Sequence, residues 1–238
     1  MALLLHIEST THVCSVALSQ SGQLVNQRED KEGRSHASLL SYFVGQIMEE
    51  SAIALKMLDG VSISMGPGSY TGLRIGVSTA KGLCYGADLP LIGISTLRSL
   101  THGFFMHMDK SGDELMENSV FVPLLDARRM EVYSAVMDRN NQYLRGVQAE
   151  IIDENAFRYW LQNFTVYFFG NGTQKVKSIL SHRNARFVEG IDLSASYLVP
   201  LAEEKCRSRE FEDLAYFEPF YLKDFIATKP KKNLLGRS

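Results

Sequence analysis

The chain has 238 residues and 26.7 kDa, and dividing by a typical domain of roughly 150 residues gives between one and two domains. Hydrophobic residues make up 45% and charged residues 22%, which excludes a disordered chain, a collagen and a small disulfide-stapled scaffold. Lys plus Arg at 25 against Asp plus Glu at 27 leave a formal charge of -2, so no chain-wide positive field is available to hold a polyanion.

The first residues, MALLLHIEST, have neither a basic lead nor a small-residue cleavage site, so export is not expected. Leu3 to Ile7, Val13 to Leu18 and Gln23 to Arg28 read as three successive strands, the last two joined by a tight Ser21-Gly22 hairpin. Leu39, Leu40, Phe43, Val44 and Ile47 recur at helical spacing, predicting a helix from Ser35 to about Glu50. A strand at Val61 to Met65 runs into GPGSYTGLRIG and a helix from Thr71 to about Tyr85. A strand at Leu91 to Ile94 and a helix from Ser95 or Thr96 to about Met106 complete the order βββαβαβα.

The polar stretch DKSGDELMEN is the expected domain junction. Strands at Val120 to Leu125, Glu131 to Met137 and Tyr143 to Glu150 follow, then a helix at Asp153 to Leu161, a strand at Thr165 to Phe169, and helices at Thr173 to Leu180 and Ser194 to about Arg207. A βββαβα order thus returns in the second half, which predicts two related α/β domains. The expected division is 1-107, a smaller 108-225 whose final helix packs back on the first domain, and a basic flexible tail at 226-238.

The glycine-rich turn holds the densest chemical signal. Gly66, Gly68 and Ser69 leave backbone uncovered before a helix start, where unpaired amides can meet an anion, and Arg74 sits in the first helical turn, where a cation is unfavourable unless an anion meets it. The turn is neither a Walker A loop nor a dinucleotide fingerprint. Gly72, Gly76 and Ala80, continued by Cys84, instead form a small-residue stripe that suits close helix contact, inside the chain or with a partner. Glu8, Ser9 and Thr10 end the first strand, and Asp126 and Arg128 stand at the equivalent place of the second repeat, so a carboxylate from each half can face one cleft or form structural pairs.

Metal and nucleophile chemistry find little support. His36 has no second histidine three or four residues away, Cys14, Cys84 and Cys206 are 70 and 122 residues apart, and Ser69 has no identifiable base. Lys175, Lys177, His182, Arg183 and Arg186, and again Lys223, Lys229, Lys231 and Lys232, form basic clusters that read as solvated surface or as phosphate contacts.

HIESTTHVCSVAL, RSHASLL, GPGSYTGLRIGVSTAKGL, GISTL, LLDARRMEVYSA and PFYLKDF, in that order over nearly the whole chain, resemble the TsaB (YeaZ) family. The resemblance implies two ribonuclease H-like (actin-like, ASKHA) domains and a part in forming N6-threonylcarbamoyladenosine at position 37 of tRNAs reading codons that begin with A. It implies a cytoplasmic, non-catalytic subunit that binds the transferase TsaD, joins TsaE and forms homodimers when alone. ATP or ADP and a divalent metal would belong to the partner complex, and tRNA would be contacted only there, if at all.

Within that resemblance, Gly72, Gly76, Ala80, Cys84, His36 and Leu40 are expected to form the partner-binding face. Glu8 replaces the family's aspartate, and Leu40 stands where the catalytic paralogue carries its second histidine. The rival expectation is a nucleotide-dependent phosphotransferase or ATPase using Glu8, the glycine loop and Asp126.

Overall fold

A computed structural model describes residues 2-33 and 35-222. The expected tail at 226-238 and the second basic cluster, Lys223 to Lys232, lie outside the described residues.

The first half contains β1 (Leu3–Glu8), β2 (Cys14–Gln20), β3 (Gln23–Asp30), α1 (His36–Glu50), β4 (Gly60–Gly66), α2 (Tyr70–Ala87), β5 (Leu91–Ser95) and α3 (Thr96–Ser111). The second contains β6 (Ser119–Asp126), β7 (Glu131–Met137), β8 (Tyr143–Ile151), α4 (Arg158–Asn163), β9 (Thr165–Phe169), α5 (Thr173–Lys177), β10 (Ala185–Val188) and α6 (Val199–Ser208). The strands form two five-stranded mixed sheets, ordered β3-β2-β1-β4-β5 and β10-β9-β6-β7-β8. In each, an antiparallel meander is extended through its first strand by two parallel strands, as expected for ribonuclease H-like domains of the actin-like type. The Ser21-Gly22 hairpin has φ of 54° and 75°, the left-handed pair that a two-residue turn requires.

Three differences from the sequence reading have local causes. The second repeat has a further strand, β10, which is only four residues long and has little alternation to reveal it. The helix expected at Asp153 to Leu161 starts at Arg158, because Phe157 is held at φ 58°, outside the helical region. Helix α3 runs past Met106 to Ser111, taking in the first residues of the expected junction, and Gly112 ends it in the left-handed conformation.

Helix α3 spans the expected boundary at 107-108. Leu97, Leu100, Phe104 and Met108 of α3 are buried with Phe121, Leu125, Ala135, Met137 and Phe169 of the second sheet, so this helix belongs to both units. Beyond β10 the chain returns to the first sheet: Leu198 and Ala202 pack with Leu4, Ile92 and Ile94. Phe217 enters the core beside Leu91 and Ala80. The second unit is therefore much shorter than 108-225, and residues 195-222 complete the first. Among the described residues no helix is long and apolar enough to cross a membrane.

Candidate functional site: the interdomain cleft and the outer helix face

Strand alternation decides where the end of β1 points. Leu5 and Ile7 join the apolar core beneath α1 and α2, and the opposite face carries Leu4, His6 and Glu8. His6 is fully buried, its Nδ1 2.7 Å from Ser62 Oγ and its Nε2 2.7 Å from Ser19 Oγ, and burial lowers its pKa to about 3. Glu8 is equally buried. Its Oε1 accepts from the Thr10 backbone N–H at 2.7 Å and from Thr10 Oγ1 at 2.5 Å, whereas Oε2 has no hydrogen-bond partner. Burial pushes the Glu8 carboxyl above its ordinary range, against the opposing pull of the Ser64 hydroxyl, of Thr10 and of the Ser9 backbone.

Glu8 and Ser9 are fully buried and are not among the residues that line the cleft, where a ligand contact was expected of them. Ser9 Oγ donates to Gly72 O at 2.9 Å and is sealed below the helix. The glycine loop is held by the same packing. Ser69 N–H donates to Thr10 O at 2.7 Å, and a Cβ on Gly68 would lie 2.6 Å from the Thr10 backbone oxygen. Gly66, at φ 121°, admits the Phe220 carbonyl, which would lie 2.6 Å from a Cβ. These glycines serve close approach of backbone, and Ser69 Oγ caps α2 by accepting from Gly72 N–H at 3.3 Å.

On the opposite wall, Asp126 N–H donates to Asn171 Oδ1 at 2.8 Å. Asp126 Oδ1 accepts from Arg128 N–H at 2.6 Å and from Lys175 Nζ at 2.8 Å. Arg128 and Arg129 both adopt positive φ, 67° and 49°, so the turn closes through two left-handed residues that carry side chains. Between the walls lies a cavity of about 540 Å³. Thr10, Gly68, Ser69, Asp126 and Arg128 line it, joined by Asn171, Tyr70 and Tyr221. Glu8, Ser9, Gly66 and Arg74 are not among the lining residues. The contribution of Tyr221 was not legible: it is remote in sequence, and only the return of the chain brings it to the cleft.

The expected partner face is also reassigned. Gly72, Gly76, Ala80 and Cys84 are buried, and Leu40 lies in the same core. A Cβ on Gly76 would stand 2.2 Å from Ser9 Oγ and 3.1 Å from Ile63 Cδ1, so the stripe lets α2 sit down on the chain's own sheet. His36, half-buried, places Nε2 2.9 Å from Thr11 O. The outward faces of the neighbouring α1 and α2 carry a different set of small residues. Ser41, Gly45, Ser78, Gly82 and Gly86 are exposed, a Cβ on any of these three glycines would meet nothing within 4 Å, and Tyr42 and Tyr85 stand exposed among them.

The donor set does not fit a metal of the paralogue's kind, because Leu40 is an enclosed apolar side chain one turn after His36. Among the described residues no three His, Cys, Asp or Glu side chains converge as ligands. Burial raises the Cys14 and Cys84 thiols to about 12, far from thiolate reactivity. In the first basic cluster, Lys175 and Lys177 are neutralised by Asp126 and Glu189, so that patch is weaker than its composition suggests.

A family model for TsaD, tRNA N6-adenosine threonylcarbamoyltransferase, matches residues 28-231. The Escherichia coli (strain K12) tRNA threonylcarbamoyladenosine biosynthesis protein TsaB is 30% identical over 235 residues, covering 95% of this chain and 96% of the relative. The Haemophilus influenzae protein of the same description is 27% identical, with 95% of each covered. Among solved structures, YeaZ from Pseudomonas aeruginosa superposes with a TM-score of 0.77 at 24% identity, covering 93% of this chain and 100% of that one. With 30% identity over 95% of the chain and a family model matched over residues 28-231, this chain belongs to the TsaB (YeaZ) family, within the wider group described by the TsaD model.

Proposed function

We propose that this chain is a non-catalytic activating subunit in the formation of N6-threonylcarbamoyladenosine at position 37 of tRNA, where it binds and supports the TsaD transferase. The relatives that match it from end to end are described as biosynthesis proteins for this modified base. The observation that carries the non-catalytic reading is the placement of Glu8. The acidic residue at the head of the cleft is closed off under Thr10 and holds no group that a substrate could reach. The second histidine that a metal pair with His36 on α1 would need is replaced by buried Leu40.

The partner surface in this proposal is the outer face of α1 and α2. Gly45, Gly82 and Gly86 let another helix approach closely, and Tyr42 and Tyr85 supply the aromatic anchors that dominate interface energy. Helix contact of this kind preorganises the transferase. Homodimers of the isolated chain would use the same face, TsaE would join the assembled pair, and ATP or ADP and the divalent metal would be held in that complex.

The test is reconstitution of tRNA modification from TsaD, TsaE and the adenylate-forming enzyme, with and without this chain. The expected result is loss of modified tRNA on omission while adenylate synthesis continues. Hydrolysis of ATP with saturable micromolar binding by this chain alone would favour the phosphotransferase reading instead.

A further inference from the structure

We propose that the mouth of the interdomain cleft is a stacking site for an unpaired RNA base, with Tyr221 as the platform and Arg128 and Arg74 as the cations that meet its phosphates. The inference rests on the proposed role in tRNA modification for the identity of the RNA. It rests on the following geometry for the site itself.

Tyr221 arrives on the returning segment and lines the cleft. Its ring centroid lies 5.1 Å from that of Tyr70 at an interplanar angle of 39°. Arg74 Cζ stands 5.4 Å over the Tyr70 ring, and its Nη1 donates to Tyr70 Oη at 3.2 Å. A guanidinium and two mutually tilted aromatic rings thus stand side by side at the rim, where Tyr221 is 39% exposed and has no other ring neighbour among the described residues. The segment is fixed rather than loosely laid down. Phe220 N–H donates to Met65 O at 2.8 Å, and Lys81 Nζ donates to the carbonyls of Ala215 and Phe217 at 3.2 and 3.0 Å. A stacking platform needs that rigidity, because every base has a π face and affinity comes from a ring already in place.

Charge supports the same occupant. Among the described residues no carboxylate pairs with the guanidinium of Arg74 or of Arg128. Asp126, the acid closest in sequence to Arg128, is already engaged by Lys175 and by the Arg128 main-chain N–H. Burial raises the Tyr221 pKa, with Tyr70 and Glu218 adding to the shift against the pull of Arg74, which leaves the phenol neutral at physiological pH. Arg128 also sits in a left-handed conformation, φ 67°, that side chains rarely adopt and that concentrates at ligand-binding turns. The cavity of about 540 Å³ lies within the range that holds a small ligand, which suits a single extruded nucleotide and not a duplex. Ser69 and Asn171, both exposed, supply a hydroxyl and an amide for a base edge or a ribose.

The experiment uses the full-length chain, alone and bound to TsaD. The probe is an RNA hairpin of anticodon-arm size with a fluorescent purine analogue in its loop. The loop fluorescence should be quenched on binding, and Tyr221→Ala should weaken that binding about tenfold while Tyr221→Phe stays within about twofold of the parent. Arg128→Ala should weaken loop and linear single strands alike and reduce the salt dependence by about one counterion. Thermal melting of each variant separates loss of stacking from loss of fold. Unchanged affinity in Tyr221→Ala, or equal binding of a fully paired duplex, overturns the proposal. Competition by free ADP at the same affinity also overturns it, since the cleft would then be a site for a free nucleotide. TsaD binding is read in parallel: Tyr221→Ala should leave it intact, and failure of the parent chain to bind TsaD would count against the subunit role without altering the RNA measurement.

Discussion

The hydroxyl of Ser9 and the carbonyl of Gly72 are joined at 2.9 Å, and a single methyl group on Gly72 would stand 2.0 Å from the Ser9 backbone oxygen. Helix α2 is therefore seated on the end of β1 by backbone, with no slack for a side chain. Gly72→Ala and Gly76→Leu should each destabilise the isolated chain by about 2-4 kcal/mol through overpacking. Urea denaturation of the monomer measures this. A loss of TsaD binding with the unfolding midpoint unchanged would return the stripe to the outside of the molecule.

Gly82 offers the opposite case on the same helix. Nothing lies within 4 Å of its Cβ position, so Gly82→Ala should stabilise the chain by up to about 1 kcal/mol through helix propensity. Gly82→Leu should leave the fold intact while weakening TsaD binding at least tenfold, as calorimetric titration would show. Unaltered binding by Gly82→Leu would remove this part of α2 from the interface.

Much of this arrangement is legible in the sequence, and what is not has a physical cause. The meanders and the helices of the first half follow from period-2 and period-3.6 patterning, which local burial imposes directly. The spacing of Gly72, Gly76, Ala80 and Cys84 identifies a close helix contact, but a stripe of small residues reads the same whether it meets a sheet or a partner. Only the sheet's own position reveals that Ser9 and Ile63 already fill that space. The Thr10, Ser69, Asp126 and Arg128 part of the cleft follows from strand ends in two repeats, whereas Asn171 and Tyr221 arrive through long-range topology. Glu8 illustrates the converse: its place at a strand end signals a ligand contact, and its enclosure by Thr10 is invisible until the loop is folded.

His6 makes acid stability measurable. Its folded-state pKa of about 3 lies below the ordinary 6.5, so the unfolded chain takes up a proton in that interval and the native chain does not. Stability should fall as pH drops through 6.5 toward 3, with a slope approaching about 1.4 kcal/mol per pH unit from this group. Glu8, whose pKa is raised, contributes in the other sense: stability lost as pH rises from 4.5 through its folded value. Chemical denaturation between pH 4 and 7 of the parent and of His6→Asn separates the two. An unchanged slope in His6→Asn would show that the imidazole titrates normally.

Lys81 ties the returning segment to α2 through two main-chain carbonyls. Lys81→Met retains the stem and removes both bonds, so limited proteolysis between 213 and 222 should accelerate about fivefold, in keeping with the roughly 1 kcal/mol net worth of such a bond. Cleavage at the parental rate would mean that Phe217 and the Phe220 to Met65 main-chain bond anchor the segment without Lys81.

The return of residues 195-222 to the first sheet also sets an order of assembly during synthesis. Leu198, Ala202 and Phe217 are parts of cores whose other buried members, such as Leu4, Ile94 and Leu91, were translated more than a hundred residues earlier. The amino-terminal sheet must then wait, its surface open, while the contiguous second sheet emerges and closes around α3. A nascent chain arrested once residue 194 had emerged from the ribosome would display a finished second unit beside an unfinished first, reversing the sequence in which the two are made.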